Sequence, residues 1–191
     1  MKTFKEFLNE RSTPVSNVVL PKVTKEQLRD MILNAEDINT VDYSDVTDMA
    51  HMFYKCPSLE EMPQLDTSKV TDMSAMFYGC SALEEISLSD TSNVTDMSAM
   101  FYGCSSLTKV SLLDTSKVTD MEHMFEGCTS LKEIPHLDTS EVKANNMHNI
   151  FDGCSNLERL EEPMDFVNYG WDENEHPLIF KKYPELFKGI K

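Results

Sequence analysis

An α/β solenoid is the fold class this sequence predicts, and three observations predict it. Cys56, Cys80, Cys104 and Cys128 recur every ~24 residues, and Cys154 follows after a slightly longer step. A block reading Val46-Thr-Asp-Met49-x-x-Met52-Phe53-x-x-Cys56-x-x-Leu59 returns with them, as Val70 to Leu83, Val94 to Leu107, Val118 to Leu131 and, more loosely, Val142 to Leu157. Within each block a helix-like apolar spacing gives way to a strand-like one. A fixed period in the twenties marks an array in which each unit buries its apolar side only against its neighbours. The expected architecture is therefore five units over 41–161, each with one short helix and one short parallel strand. A helical cap over 11–40 and an aromatic-rich cap over 162–191 would close the two ends.

The helix element rests on Met49, Met52 and Phe53, spaced i, i+3, i+4. Thr47, Thr71, Thr95 and Thr119 stand just before it, each followed by Asp. A hydroxyl at the cap and a carboxylate in the first turn both suit a helix start. Gly79, Gly103, Gly127 and Gly153 suit its stop.

The strand element follows the cysteine. Leu59, Leu83, Leu107, Leu131 and Leu157 form one apolar column, and Met62, Ile86, Val110, Ile134 and Leu160 another. This Leu-x-x-Ile pattern is the strand segment of a leucine-rich repeat. Stacked in register at ~4.8 Å, five strands would make a parallel sheet about 20–25 Å across. Pro63 and Pro135 remove ladder donors and keep the strands short. Three further columns, starting at Val46, Met49 and Phe53, are apolar in all five units and belong in the core. At the N-terminal end, Thr24-Lys-Glu-Gln27 reads as a capping box for a helix whose apolar face is Leu28, Met31 and Ile32.

Composition excludes several functions. A hydrophobic content of 40% is too high for wholesale disorder. No apolar run reaches the ~18 residues of a membrane span, and no secretory h-region is visible, so neither membrane nor export is expected. The net charge of −16 argues against direct nucleic-acid binding, which needs a basic footprint.

Candidate chemistry is sparse. The five cysteines would form a column of parallel thiols, buried and unable to face one another as disulfides require. No Cys/His spacing matches a zinc site. Asp42, Asp66, Asp90, Asp114 and Asp138 mark turns, where a carboxylate bonds nearby backbone N–H groups. Asp48, Asp72, Asp96 and Asp120 fall in the expected helix first turn. His51 and His123 lie three repeats apart, too far to share a metal. No catalytic residues, metal or cofactor are expected. Two stripes remain for a partner. The strand face carries Glu61, Glu85, Lys109, Glu133 and Arg159. Tyr54, Tyr78 and Tyr102 each follow a core Phe, and aromatic rings are favoured anchors.

Two resemblances extend this reading. Asp-Thr-Ser-Lys-Val-Thr-Asp-Met-Ser-Ala-Met-Phe-Tyr-Gly-Cys-Ser-Ala-Leu (66–83) resembles the BspA-type leucine-rich repeats, which implies that fold over 41–161 and a binding role with no fixed partner. The fifth unit departs from the pattern, since Val142-Lys-Ala-Asn-Asn-Met147 carries two extra residues. The first ten residues, Met-Lys-Thr-Phe-Lys-Glu-Phe-Leu-Asn-Glu, resemble the capsid-targeting peptide of internal head proteins in T-even-type tailed phages. That resemblance implies cleavage after Leu8-Asn9-Glu10, with Glu10 as the processing site and Arg11 as the new start. Triplets such as Leu83-Glu-Glu85 also fit the protease pattern, but packing should protect them, whereas cleavage concentrates at exposed ends.

The function expected from these observations is non-enzymatic binding of a protein, from the host of a phage that packages the chain in its virion and delivers it to the host cytoplasm. A bacterial surface adhesin, or an acidic mimic of nucleic acid that occupies an enzyme's basic groove, are the alternatives. Oligomeric state stays open.

Overall fold

The computed structural model describes residues 20–62, 64–111, 113–134, 136–143, 146–160 and 181. The expected targeting peptide with Glu10, the proline positions 63 and 135, and nearly all of the expected C-terminal cap lie outside them. The chain divides into two compact units, Met1–Asp45 and Val46–Lys191.

In the first unit, helix α1 spans Lys25–Leu33. Its start is set by the capping box: the Gln27 N–H donates to Thr24 Oγ1 at 3.3 Å, and the Thr24 N–H donates to Gln27 Oε1 at 2.9 Å. Leu28 and Ile32 are its buried face. A short 3-10 helix, Ile38–Thr40, follows, with the Asp37 carboxylate accepting from the Asn39 N–H.

The second unit is built from the repeats. Phe53, Phe77, Phe101, Phe125 and Phe151 are fully buried and stack ring on ring, with centroids 5.3–5.7 Å apart. Met49, Met73, Met97 and Met121 are fully buried beside them. So are Met52, Met76, Met100, Met124 and Ile150, a row whose last member is not methionine. The columns thus stack as the sequence requires. At the array's margins Leu59, Met62 and Val142, all expected in the core, are only half-buried.

The strands are β1 (Glu85–Ile86), β2 (Lys109–Val110), β3 (Glu133–Ile134) and β4 (Arg159–Leu160). β1 pairs with β2 and β3 with β4, both parallel, with Glu85 opposite Lys109 and Glu133 opposite Arg159. The expected five-stranded sheet is therefore two short pairs among the described residues, and the first repeat adds no strand there.

The expected short helices are replaced by chains of turns. Between Met49 and Cys56 the backbone donors alternate in direction. N–H groups of Met52, Tyr54 and Cys56 close turns onto the carbonyls three residues back. Those of Met49, His51, Phe53 and Lys55 cross to the next repeat, onto Asp72, Ser74, Met76 and Tyr78 at 2.7–2.9 Å. An α-helix would turn the later of these donors back on itself, the Phe53 N–H onto the Met49 carbonyl, instead of sending it to another repeat. The alternation requires left-handed backbone at two places per repeat. His51, Ala75, Ala99, His123 and Asn149 take φ of 49–58°, and Lys55, Gly79, Gly103, Gly127 and Gly153 take 55–74°. The Asp column is also recast. Asp48, Asp72, Asp96 and Asp120 form parallel bridges with one another, and each carboxylate accepts from the N–H two residues on, making a turn rather than a helix start. Thr71, Thr95 and Thr119, expected as caps, instead donate their hydroxyls to the threonine carbonyl one repeat earlier.

Repeat five absorbs its extra residues without losing this register. Asn146 Nδ2 donates to Thr119 O at 3.0 Å, taking the part the threonine hydroxyls play elsewhere.

Candidate functional site

The scaffold removes most reactive side chains from consideration. Cys80, Cys104, Cys128 and Cys154 are fully buried, and each Sγ donates to a phenylalanine carbonyl one repeat earlier at 3.1 Å. Burial pushes the Cys80 thiol up to about 11 and those of Cys104 and Cys154 up to about 12; Cys128 is driven in the same direction. Such thiols are poor nucleophiles and poor ligands. All five cysteines are free, and Cys56 is the one that is only half-buried.

A further column escaped the sequence reading. Thr67, Thr91 and Thr115 are almost fully buried. Each hydroxyl donates to the carbonyl of the next repeat's Asp90, Asp114 or Asp138 and accepts that residue's N–H. One buried side chain thereby satisfies both backbone groups of a residue in the next repeat. The signal was present as an unvarying Asp-Thr in four repeats, starting at Asp66, Asp90, Asp114 and Asp138, but threonine's usual place on surfaces concealed it.

The turn carboxylates behave as expected. Asp42, Asp66, Asp90, Asp114 and Asp138 accept from the N–H of the serine two residues on, at 2.9–3.1 Å. Hydrogen bonds from that serine hold Asp66, Asp90, Asp114 and Asp138 below the ordinary carboxylate range. Asp120 moves the opposite way, raised first by burial and then by the neighbouring charges of Asp96 and Glu122.

What the scaffold leaves outside is concentrated in two places. Tyr54, Tyr78 and Tyr102 are half-exposed and form a ladder, with centroids 4.9 Å apart at the first step and 4.5 Å at the second. The second pair is parallel to within 1°. Stacked rings cover one another's faces, so the ladder presents edges and hydroxyls. Lys55 lies over the outer ring, its Nζ 5.2 Å from the Tyr54 centroid. The two histidines read from the sequence as ordinary surface residues bracket the ladder, His51 edge-on to Tyr54 at 5.2 Å and His123 edge-on to Tyr102 at 6.4 Å. His123 Nδ1 also meets the Glu126 carboxylate, and Glu126 occupies the tyrosine position of repeat four. The negative charge of Glu126 raises the Tyr102 phenol above its ordinary value, with Tyr78 adding to it.

The second place is the strand edge. Glu85 and Lys109 stand opposite in register, both exposed. Glu133 and Arg159 are opposite in backbone register. Glu61 is exposed outside any strand and lines an open groove with Glu60, Glu84, Glu85, Ala82 and Ser106. Among the described residues no helix is long and apolar enough to cross a membrane.

A family model described as a Mycoplasma protein of unknown function, DUF285, matches residues 23–133 and, overlapping, 106–168. No curated protein and no solved structure matches the chain.

Proposed function

The chain belongs to the DUF285 family, and from that membership we propose that it is a non-enzymatic protein-interaction module whose repeats form a leucine-rich-repeat solenoid of the BspA type. The half-exposed Tyr54–Tyr78–Tyr102 ladder carries the reading. Apolar side chains at nearly every regular position are buried, and among the described residues of the repeats these rings are the large aromatic surface left over. Tyrosines are favoured anchors because they bring much contact area for little conformational entropy. Glu85, Lys109 and Glu133 on the strands, with Glu61 ahead of them, supply a charged second stripe that fits a polar rim.

The finer reading adds where the module works. The opening ten residues support packaging in a phage capsid, cleavage after Glu10 and delivery to a host protein. N-terminal mass spectrometry of virions tests this: chains starting at Arg11 are expected, full-length chains alone would refute the targeting peptide and its cleavage after Glu10, and absence from virions would refute packaging.

Binding itself is tested in cells by a photo-crosslinking phenylalanine analogue placed at Tyr78, at Glu85 and, as a control, at the exposed Lys69. Discrete adducts at the first two positions and not at the control are expected. Equal smears at all three would sink the reading.

A further inference from the structure

The tyrosine ladder runs along a strip whose charge changes sign from end to end. Repeat one places the exposed ammonium of Lys55 at its head. Beside Tyr78 and Tyr102 the left-handed positions hold Ala75, Gly79, Ala99 and Gly103, and His123 lies edge-on to Tyr102. Repeat four ends the ladder with the carboxylate of Glu126, one oxygen of which meets His123 Nδ1 and which stays partly exposed. The order is cation, rings, anion.

Such a strip is complementary to itself when reversed. A twofold axis between Tyr78 and Tyr102 sets Lys55 of one copy against Glu126 of the other, and Glu126 against Lys55, which is the isologous pairing that closes a dimer. Three repeat steps of ~4.8 Å separate the charges, so both pairs and the ring overlap fit one strip ~14 Å long. The repeat pitch strengthens the match, because ring edges spaced at 4.5–4.9 Å register best against a surface with the same spacing. Another array of this chain has it by construction.

We infer that two copies of the chain pair through this strip, antiparallel, with tyrosine edges at the centre and a Lys55–Glu126 pair at each end. This names the partner of the ladder and rests on the binding role proposed above, leaving the strand edge for a different protein. The strip is smaller than a standard interface, so the dimer is weak, with a Kd on the order of 0.1 mM. The −16 charge on each copy opposes approach. At ~0.15 M salt, charges beyond about 8 Å are screened, and the contacting pairs decide.

Sedimentation velocity of the full chain, from about 10 µM to about 1 mM, should show a monomer–dimer equilibrium. Lys55→Glu turns two attractive contacts repulsive and should weaken association ~10-fold or more, as should Glu126→Lys, while the double swap restores it. A monomer at every concentration, indifference to the single swaps, or a double swap that fails to restore pairing would each overturn the inference. A variant that does not fold does not block the test. Carbodiimide treatment of mixed ¹⁴N- and ¹⁵N-labelled wild-type chains should give mixed-isotope peptides joining residue 55 to residue 126, and a dimer lacking them is built another way. If the chain is monomeric yet Tyr78 still crosslinks a different protein, this inference fails and the binding role stands. If the dimer forms and neither Tyr78 nor Glu85 captures another protein, the reverse holds.

Discussion

Phe101 and Tyr102 are neighbours in sequence with opposite surroundings. Phe101 is fully buried between Phe77 and Phe125, whereas Tyr102 is half-exposed. Phe101→Ala should cost ~3–5 kcal/mol and Tyr102→Ala clearly less, read from denaturant midpoints. Equal losses would reverse the inside and outside of the repeat. Gly103 poses a different question, because an added Cβ would meet nothing closer than Gly79 Cα at 3.9 Å, yet its φ is +68°. Gly103→Ala should still destabilise by about 1–2 kcal/mol, since the cost is backbone strain and not a clash. The cysteines are read out by alkylation. At pH 8 a thiol near 11–12 is ionised at the level of ~0.1% or less. Native protein should therefore label first at Cys56, with Cys80, Cys104, Cys128 and Cys154 reacting only on unfolding. Mass spectrometry of the labelled peptides shows the order directly.

At the scale of the element, the repeat is held by cross-links between units more than by structure within them. Thr91 shows it best, since its buried hydroxyl serves both the N–H and the carbonyl of Asp114. Thr91→Val keeps the shape and removes the hydroxyl, and with it both hydrogen bonds to Asp114, and should cost ~1–3 kcal/mol in a thermal or urea melt, about 0.5–1.5 kcal/mol per bond. A neutral result would mean that water or a shifted backbone replaces it. The same cross-links explain what could be read in advance. Apolar columns are visible in a sequence because burial selects residue type at each repeat, so the Phe, Met, Val and Cys rows were legible. Hydrogen-bond direction leaves no such trace. Met49, Met52 and Phe53 share one side of a helix, and they share it equally in a run of turns whose alternate donors leave sideways. Glycine at 79, 103, 127 and 153 signalled one left-handed position but was read as a helix stop. The other falls on His51, Ala75, Ala99, His123 and Asn149, residues that announce nothing. The tyrosine ladder was legible as a stripe. Its bracketing by His51 and His123, and its ending on Glu126, needed the way each repeat stacks on its neighbour.

Across the whole molecule, with its net charge of −16, Asp120 responds to acid in the opposite sense to four of the turn aspartates. Asp66, Asp90, Asp114 and Asp138 have folded values below the unfolded one near 3.9. Their contribution is present above that pH and is lost as pH falls through the folded values. Asp120 has its folded value raised, so its favourable contribution belongs to the protonated form, present below about 3.9 and lost as pH rises through the raised value. At neutral pH its ionisation works against the fold. Asparagine keeps the Oδ1 acceptor in both turns and removes only the charge, so the two substitutions isolate the sign. Asp114→Asn should lower the melting temperature at pH 7, with the deficit shrinking toward pH ~3 as the wild-type carboxyl begins to protonate. Asp120→Asn should raise the melting temperature at pH 7, with the gain disappearing over the same interval. Melts of the two variants at both pH values decide the matter. If both variants shift the same way, the charge of the array acts as one undifferentiated repulsion, and the serine hydrogen bonds at Asp114 and the burial at Asp120 do not govern the titration. Opposite shifts would show that the serine hydrogen bonds at Asp114 and the burial at Asp120 set these two carboxylates to different electrostatic tasks within one array.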